Sequence, residues 1–190
     1  HTSAPLPLAG GFGGGSEVIP DNRPSPGPSR KREGDLAIGD ATGIPIPAFP
    51  EELLAARPDF LTEAFRVYGS LGLDNAVTRI VAAEPWLAGN TGPKLALTVD
   101  YARADPALHR ELFIKFSRFP GDAHRDKRRF ELEPEVRLAA LSRHPAFPVA
   151  VAKSYFADFH HASGTGLLIT QRIAFGHAPI EPVRVKCMDH

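Results

Sequence analysis

The chain has 190 residues, the length of one ordinary domain, and its 22 basic residues balance its 22 acidic residues. Balanced charge argues against nucleic acid and membrane surfaces as partners, and no apolar run reaches the roughly 18 residues that a membrane span needs. Cys187 is the single cysteine, so an internal disulfide and a cysteine-rich zinc site are excluded. Because a single cysteine is typical of a reducing compartment, we expect the protein to be cytoplasmic.

The first part of the chain is dominated by glycine and proline. Nine of the 17 glycines and nine of the 19 prolines fall within the first 50 residues. Such a composition sustains neither helix nor strand, so residues 1–48 are predicted to be a disordered tail. The chain begins with histidine rather than methionine, and we expect it to be the N-terminal portion of something longer.

A short helical lead-in is predicted over residues 49–73. Pro50 is followed by two glutamates, a combination that favours the start of a helix. A second helix is predicted from Pro58, because apolar residues then recur at helical spacing. Gly69 or Gly72 is expected to end it.

Residues 74–180 alternate between strand-like and helical patterns. Strands are predicted over 77–83, 94–101, 112–116, 149–159 and 166–173, and one helix over 136–141. The order β, β, β, α, β, β predicts an α+β domain, a five-stranded antiparallel sheet with one packed helix. On that helix, Val136, Ala140 and Leu141 are expected to share one apolar face. Residues 181–190 would begin a connection to a further segment.

Lys115 stands in the middle of an otherwise apolar strand. Alternation places Leu112, Ile114 and Phe116 on one face of the sheet and Phe113 with Lys115 on the other. A lysine in that position lies either on a solvated face or at a cleft.

Glutamates precede the predicted helix at positions 131, 133 and 135. Acids are ordinary near a helix start, and one of these could also pair with Lys115. Glu131 and Glu135 are four residues apart and share a face, whereas Glu133 points elsewhere. Because Pro134 fits only a first turn, the helix must either begin near it or kink there.

A glycine-containing turn separates the first two strands of the domain. Its residues are Gly89, Asn90, Thr91 and Gly92, whose backbone N–H groups could meet phosphate oxygens. The turn matches neither the P-loop nor the dinucleotide-binding pattern, and a plain hairpin turn is the simpler interpretation.

Taken in order, the loop, the lysine strand, the glutamate helix and the last two strands resemble the small lobe of a protein kinase. The segments Leu112–Phe116, Glu133–Leu141 and Gly166–Ile173 are similar to those of the aminoglycoside and choline phosphotransferase family. The resemblance covers roughly residues 75–180. It implies a kinase-like small lobe that binds ATP.

The resemblance also implies roles for particular residues. Lys115 would contact the nucleotide phosphates with Glu135 as its ion-pair partner and Glu131 in reserve, and the loop from Gly89 to Gly92 would cover those phosphates. Backbone groups from Gln171 to Ile173 would hydrogen-bond adenine. The positions expected to enclose the adenine ring are Leu87, Val99 and Ile169.

The catalytic half of such an enzyme is not visible in this sequence. The family carries a His-Gly-Asp type loop and a metal-binding aspartate in a C-terminal lobe, and we expect both, with the Mg²⁺ ligands, beyond His190. The expected function is therefore the nucleotide-binding portion of an ATP-dependent phosphotransferase that phosphorylates a hydroxyl of a small molecule. By itself this stretch would be inactive.

Two other kinds of function are suggested by residues elsewhere in the sequence. The basic stretch from Arg125 to Arg129 could make the protein a non-catalytic module that binds anions or nucleic acid. Acidic residues interleaved with this stretch weaken that hypothesis. Asp158, His160 and His161 are grouped in sequence, but adjacent histidines in a strand point to opposite faces. No metal site is predicted.

Overall fold

The computed structural model describes residues 36–87, 89, 92–118 and 125–174, and of residues 125 and 126 only the backbone. Its first element is a small antiparallel hairpin, β1 (Ala37–Ile38) paired with β2 (Pro45–Ile46). Ile44 and Ile46 are buried in the main core, so the prediction of a disordered tail is wrong for residues 36–48. The rest of that predicted tail lies outside the described residues.

Two helices follow the hairpin, as predicted. They are α1 (Pro50–Ala55) and α2 (Arg57–Tyr68), each with a proline in its first turn. Gly69 ends α2 in the left-handed conformation at φ 77°, which a residue without a side chain adopts at little cost.

Within the described residues, five strands form one antiparallel sheet. They are β3 (Val77–Pro85), β4 (Lys94–Tyr101), β5 (Glu111–Phe116), β6 (Ser154–His160) and β7 (Thr165–Gln171). Their order in the sheet is β3-β4-β5-β7-β6. The predicted α+β class and antiparallel sheet are therefore confirmed. The strand predicted from residue 149 starts only at Ser154, and Val149 and Val151 before it are exposed.

Two further helices lie between β5 and β6, the short α3 (Arg125–Arg128) and α4 (Glu133–Leu141). Pro134 occupies the first turn of α4, so the helix begins there and does not kink. None of the helices in the described ranges is long and apolar enough to cross a membrane.

The apolar face of α4 differs from the predicted one. Val136 and Ala139 are buried, whereas Ala140 and Leu141 are exposed. Because Leu132 just before the helix is also buried, the true stripe repeats at three to four residues from that position.

The sheet has one face toward α2 and one toward α4. On the α2 face, Leu112, Ile114 and Phe116 are fully buried. Aromatic rings join the helix to this face, with Phe65 and Tyr155 centroids 5.2 Å apart. The α4 helix packs across β6 and β7.

One carboxylate in β6 accepts most of the hydrogen bonds that join the hairpin to that strand. Asp158 is 1% exposed and accepts hydrogen bonds from the backbone N–H groups of Ala41 (3.1 Å), Thr42 (2.7 Å) and Phe159 (2.7 Å), and from the Thr42 hydroxyl. A Cβ on Gly39 would lie 2.1 Å from its Oδ2, so the approach requires glycine.

Candidate functional site

A pocket of about 310 Å³ opens on the α4 face of the sheet. Most of its wall is apolar, and charged side chains stand at its margin. The residues that line it are Trp86, Phe113, Lys115, Glu135, Ala152, Leu168, Thr170, Gln171, Arg172 and Ile173.

Strand register explains why four of these side chains share one wall. Phe113 is opposite Thr170, and Lys115 is opposite Leu168, in the antiparallel pair of β5 and β7. Opposed residues in a ladder project to the same face, and residues two apart do so as well. The predicted separation of Phe113 and Lys115 from the core residues of β5 is therefore confirmed.

Lys115 forms an ion pair across the end of the pocket. Its Nζ lies 2.5 Å from the Glu135 Oε2, with side chains 25% and 38% exposed. Pairs of this exposure stabilise a fold by about 0–1 kcal/mol. The pair therefore fixes the position of the ammonium group more than it stabilises the protein.

The other two glutamates have different partners. Glu131 accepts a hydrogen bond from Arg118 at 3.0 Å, and Glu133 binds Arg137 at 2.6 Å. The structure thus selects Glu135, and not its reserve Glu131, as the partner of Lys115.

Trp86 forms the outer wall of the pocket. Its ring meets Phe113 edge-on, with centroids 5.7 Å apart, and the Arg172 guanidinium lies 5.8 Å from it. A backbone hydrogen bond of 3.0 Å from Trp86 to Lys94 holds this segment against β4.

The three positions expected to enclose an adenine ring do not line the pocket. Leu87 is 96% exposed, whereas Val99 and Ile169 are fully buried in the core. For Ile169 the reason is the alternation of side chains along β7, because its neighbours Leu168 and Thr170 are the ones that face the pocket. Alternation along β7 was a signal that could have found Leu168 and Thr170.

The segment expected to hydrogen-bond adenine is partly used by the sheet. The Gln171 N–H donates to the Lys153 carbonyl at 2.8 Å, and the Arg172 N–H donates to the Glu111 carbonyl at 3.0 Å. Ile173 follows the end of β7, and within the described residues its N–H has no partner. Of the three N–H groups, that of Ile173 is the one available to a ligand.

Two residues of the predicted glycine loop are described, Gly89 beside Lys94 and Gly92 beside Phe116. Asn90 and Thr91 lie outside the described residues. Gly89 and Gly92 both have positive φ, 93° and 53°. A Cβ on Gly92 would lie 2.2 Å from the carbonyl oxygen of Phe116, so the loop can pack this closely on β5 only with glycine there.

Lys94 is a charged residue of this region that the sequence analysis did not single out. It is 8% exposed, and its Nζ lies 3.3 Å from the Gly92 carbonyl oxygen. Burial lowers the pKa of Lys94 below its ordinary value, and the positive charge of Lys115 adds to the effect. The sequence signal that could have identified Lys94 was its position at the start of β4, directly after the loop.

The basic stretch from Arg125 to Arg129 makes contacts within the protein. Arg128 lies 3.6 Å from Glu131, and the Arg129 guanidinium lies 4.6 Å from the Phe130 ring centroid. The side chain of Arg125 is outside the described part of the chain.

The Asp158 and histidine group has structural partners. Asp158 holds the hairpin, His160 bonds the Ser163 hydroxyl at 2.7 Å, and the His161 ring stacks on Phe130 with centroids 4.6 Å apart. Within the described ranges, no three His, Cys, Asp or Glu side chains are grouped closely enough to hold a metal ion.

Comparison with models of protein families, with curated proteins and with solved structures finds no match for the chain. The pocket combines apolar walls suited to a planar ring, a strand end with an N–H at its rim, and the ion pair of Lys115 and Glu135. Such a site suits a flat apolar group that carries an anionic tail.

Proposed function

We propose that the chain is the nucleotide-binding part of an ATP-dependent phosphotransferase that acts on a hydroxyl of a small molecule. The observation that carries the proposal is the 2.5 Å pair of Lys115 and Glu135 at the end of an apolar pocket beside the glycine loop. A lysine on the third strand of a sheet, held by a glutamate on a helix between that strand and the next, is the arrangement that kinases use to position nucleotide phosphates.

In this proposal the base enters the apolar part of the pocket. Its ring lies against the wall of the sheet formed by Phe113 and Leu168, with Trp86 at the outer edge, and its hydrogen-bonding edge reaches the Ile173 N–H. The phosphates then extend toward Lys115, where the ammonium group supplies positive charge and the loop supplies backbone N–H groups.

The residues that line the pocket supply binding and orientation rather than the transfer step. Glu135 is the one carboxylate among them, and it is engaged by Lys115. Phosphoryl transfer needs a carboxylate that accepts the hydroxyl proton and ligands for Mg²⁺. In the proposal those groups come from residues other than the described ones.

Trp86 provides a direct test, since it is the chain's single tryptophan and lines the pocket. Titration with ATP should change its fluorescence saturably, and Lys115→Met should weaken the affinity roughly tenfold or more, because a charge-assisted contact to phosphate is lost. Lys153→Met is the matched control, since Lys153 bonds the Ala107 carbonyl at 2.7 Å and lies outside the pocket. It removes the same charge and should leave the affinity unchanged.

Two outcomes would overturn the proposal. One is the absence of ATP binding by both fluorescence and calorimetry. The other is binding that Lys115→Met leaves intact. Salt-dependent binding of RNA that is lost on replacing Arg128 and Arg129 with alanine would instead favour the nucleic-acid module.

A further inference from the structure

The outer wall of the pocket is a large side chain that lies just beyond the end of a strand. Trp86 directly follows Pro85, the last residue of β3, and its backbone N–H donates to the Lys94 carbonyl at 3.0 Å. That bond fixes the backbone, whereas the side chain is exposed. The position of the indole therefore depends on the contacts that the ring itself makes.

Two side chains from the sheet contact that ring. Phe113 meets it edge-on, with centroids 5.7 Å apart and planes at 87°. The guanidinium of Arg172 lies 5.8 Å from the ring centroid, within the distance of about 6 Å at which a cation is attracted to an aromatic face. Trp86 follows β3 and Arg172 follows β7, so this second contact spans the two strands between them, β4 and β5.

Arg172 is held in turn by Glu111. Its backbone N–H donates to the Glu111 carbonyl at 3.0 Å, and its Nη1 lies 3.2 Å from the Glu111 Oε2. The other carboxylate oxygen of Glu111 accepts from the Thr98 hydroxyl at 3.0 Å, and Thr98 is the register partner of Glu111 in β4. A row of three side chains across neighbouring strands thus ends at the guanidinium that contacts the indole.

We propose that Arg172 is a positioning residue, which holds the indole of Trp86 in place as the outer wall of the pocket and thereby raises the affinity for the ring of the ligand. The inference rests on the proposed function and deepens it, because it names a residue that governs base binding separately from phosphate binding. A wall that is already fixed before the ligand arrives costs less to order on binding.

The sequence positions of the two pocket cations agree with this division. Leu168 is the register partner of Lys115, and Arg172 follows Leu168 by four residues along the same face. Four residues of strand span about 13 Å, so the backbone of Arg172 lies at the end of the pocket opposite Lys115. In the proposed function that end receives the base.

The expected effect follows from the contact between guanidinium and indole. At an exposed site such a contact corresponds to roughly two- to fivefold in a binding constant. Arg172→Met keeps an aliphatic stem and removes the guanidinium. We expect it to weaken the binding of adenosine, AMP and ATP by the same factor, roughly two- to fivefold, and to retain the wild-type unfolding midpoint. In the ligand-free chain, time-resolved anisotropy of Trp86 should show a wider motion of the ring.

A double-mutant cycle in adenosine affinity, measured by calorimetry, tests whether Arg172 acts through Trp86. If it does, Arg172→Met combined with Trp86→Ala should bind adenosine as Trp86→Ala alone does. Glu111→Gln loosens the anchor of Arg172 and should change ring motion and affinity in the same direction by a smaller amount. Arg79→Met is the matched control and should change neither, since Arg79 is an exposed arginine that pairs with Asp100 at 2.6 Å outside the pocket.

Three results would overturn the assignment and leave the proposed function intact. They are unchanged adenosine affinity in Arg172→Met, a loss confined to ATP, which would place Arg172 on the phosphates, and losses that add in the double variant, which would make Arg172 a direct ligand contact. If Arg172→Met does not fold, Glu111→Gln decides on the same two readouts. If the wild-type chain binds no nucleotide but the ring moves more widely in Arg172→Met, the proposed function fails while the positioning of Trp86 stands. If the ring motion is also unchanged, both fail.

Discussion

Replacing Asp158 with asparagine should destabilise the protein strongly, because one buried carboxylate accepts four hydrogen bonds. Its Oδ1 accepts from Ala41 and Phe159, and its Oδ2 accepts from the N–H and the hydroxyl of Thr42. Asparagine has nearly the same shape, so it creates no cavity. It removes the charge from every bond and replaces one acceptor oxygen with a donor.

The magnitude follows from the partners. The least unfavourable orientation places the new NH₂ where Oδ2 was, since the Thr42 hydroxyl can turn to accept from it. The Thr42 N–H then loses its acceptor, at a cost of about 1–3 kcal/mol, and the bonds that remain are no longer charge-assisted. We expect the free energy of unfolding to fall by about 2–4 kcal/mol.

Urea unfolding measured by circular dichroism tests this value, and Asp40→Asn is the control. Asp40 accepts a single exposed bond from the His161 N–H at 2.9 Å, so its replacement should cost less than about 1 kcal/mol. Amide exchange should show Ala41 and Thr42 losing protection before the strands of the sheet. Stability of Asp158→Asn within about 0.5 kcal/mol of the wild type would refute the reasoning.

Three further predictions concern the rest of the sheet. Burial lowers the pKa of His109 below its ordinary value of about 6.5. The neutral ring therefore contributes its full stability above that pH, and this contribution is lost as the pH falls. The urea midpoint should drop more between about pH 7.5 and 5.5 in the wild type than in His109→Asn, and equal drops would contradict this. Thr170→Phe should fill the pocket and abolish the Trp86 response to ATP without changing the unfolding midpoint. Ile169→Ala, on the opposite face of the sheet, should lower the free energy of unfolding by about 2–5 kcal/mol. A destabilised Thr170→Phe would show that the face of Thr170 is misassigned. Gly92→Ala should cost about 1–3 kcal/mol in unfolding and weaken ATP more than adenosine, because a Cβ there meets backbone; normal stability and affinity would count against the loop geometry.

Local patterns were sufficient to place the lysine, and they settled only part of the choice of its glutamate. Alternation along β5 placed Lys115 with Phe113 away from the core, and the four-residue spacing narrowed the glutamate to two positions. Proline chemistry left a helix start near Pro134 or a kink there, and α4 begins at Glu133 with Pro134 in its first turn. The final choice of Glu135 depended on how α4 packs across the sheet, a tertiary property that spacing alone does not contain.

The pocket walls depended on facts that a local pattern does not carry. The sequence predicted β3 to end at residue 83, but it continues to Pro85, and the bond from Trp86 to Lys94 extends the pairing. Trp86 rather than Leu87 therefore meets the pocket. Lys94 lies opposite Lys115 because of the register between β4 and β5, and that register is set by the connection between the two strands.

Composition misled the prediction for the hairpin because its stability comes from distant residues. Glycine and proline are frequent in residues 36–48, and local propensity there favours disorder. Ile44 and Ile46 nevertheless find a core that is built by elements farther along the chain. Tertiary burial outweighs the local preference.

The fastening of the hairpin to Asp158 also constrains the order in which the protein assembles. Ala41 and Thr42 precede their acceptor by 117 and 116 residues, and synthesis proceeds from the N-terminus. On the ribosome, the hairpin emerges long before β6 exists, so Ile44 and Ile46 stay without their core until most of the sheet has been made. The first element among the described residues is therefore among the last to dock, and its docking requires that β6 and β7 have already paired.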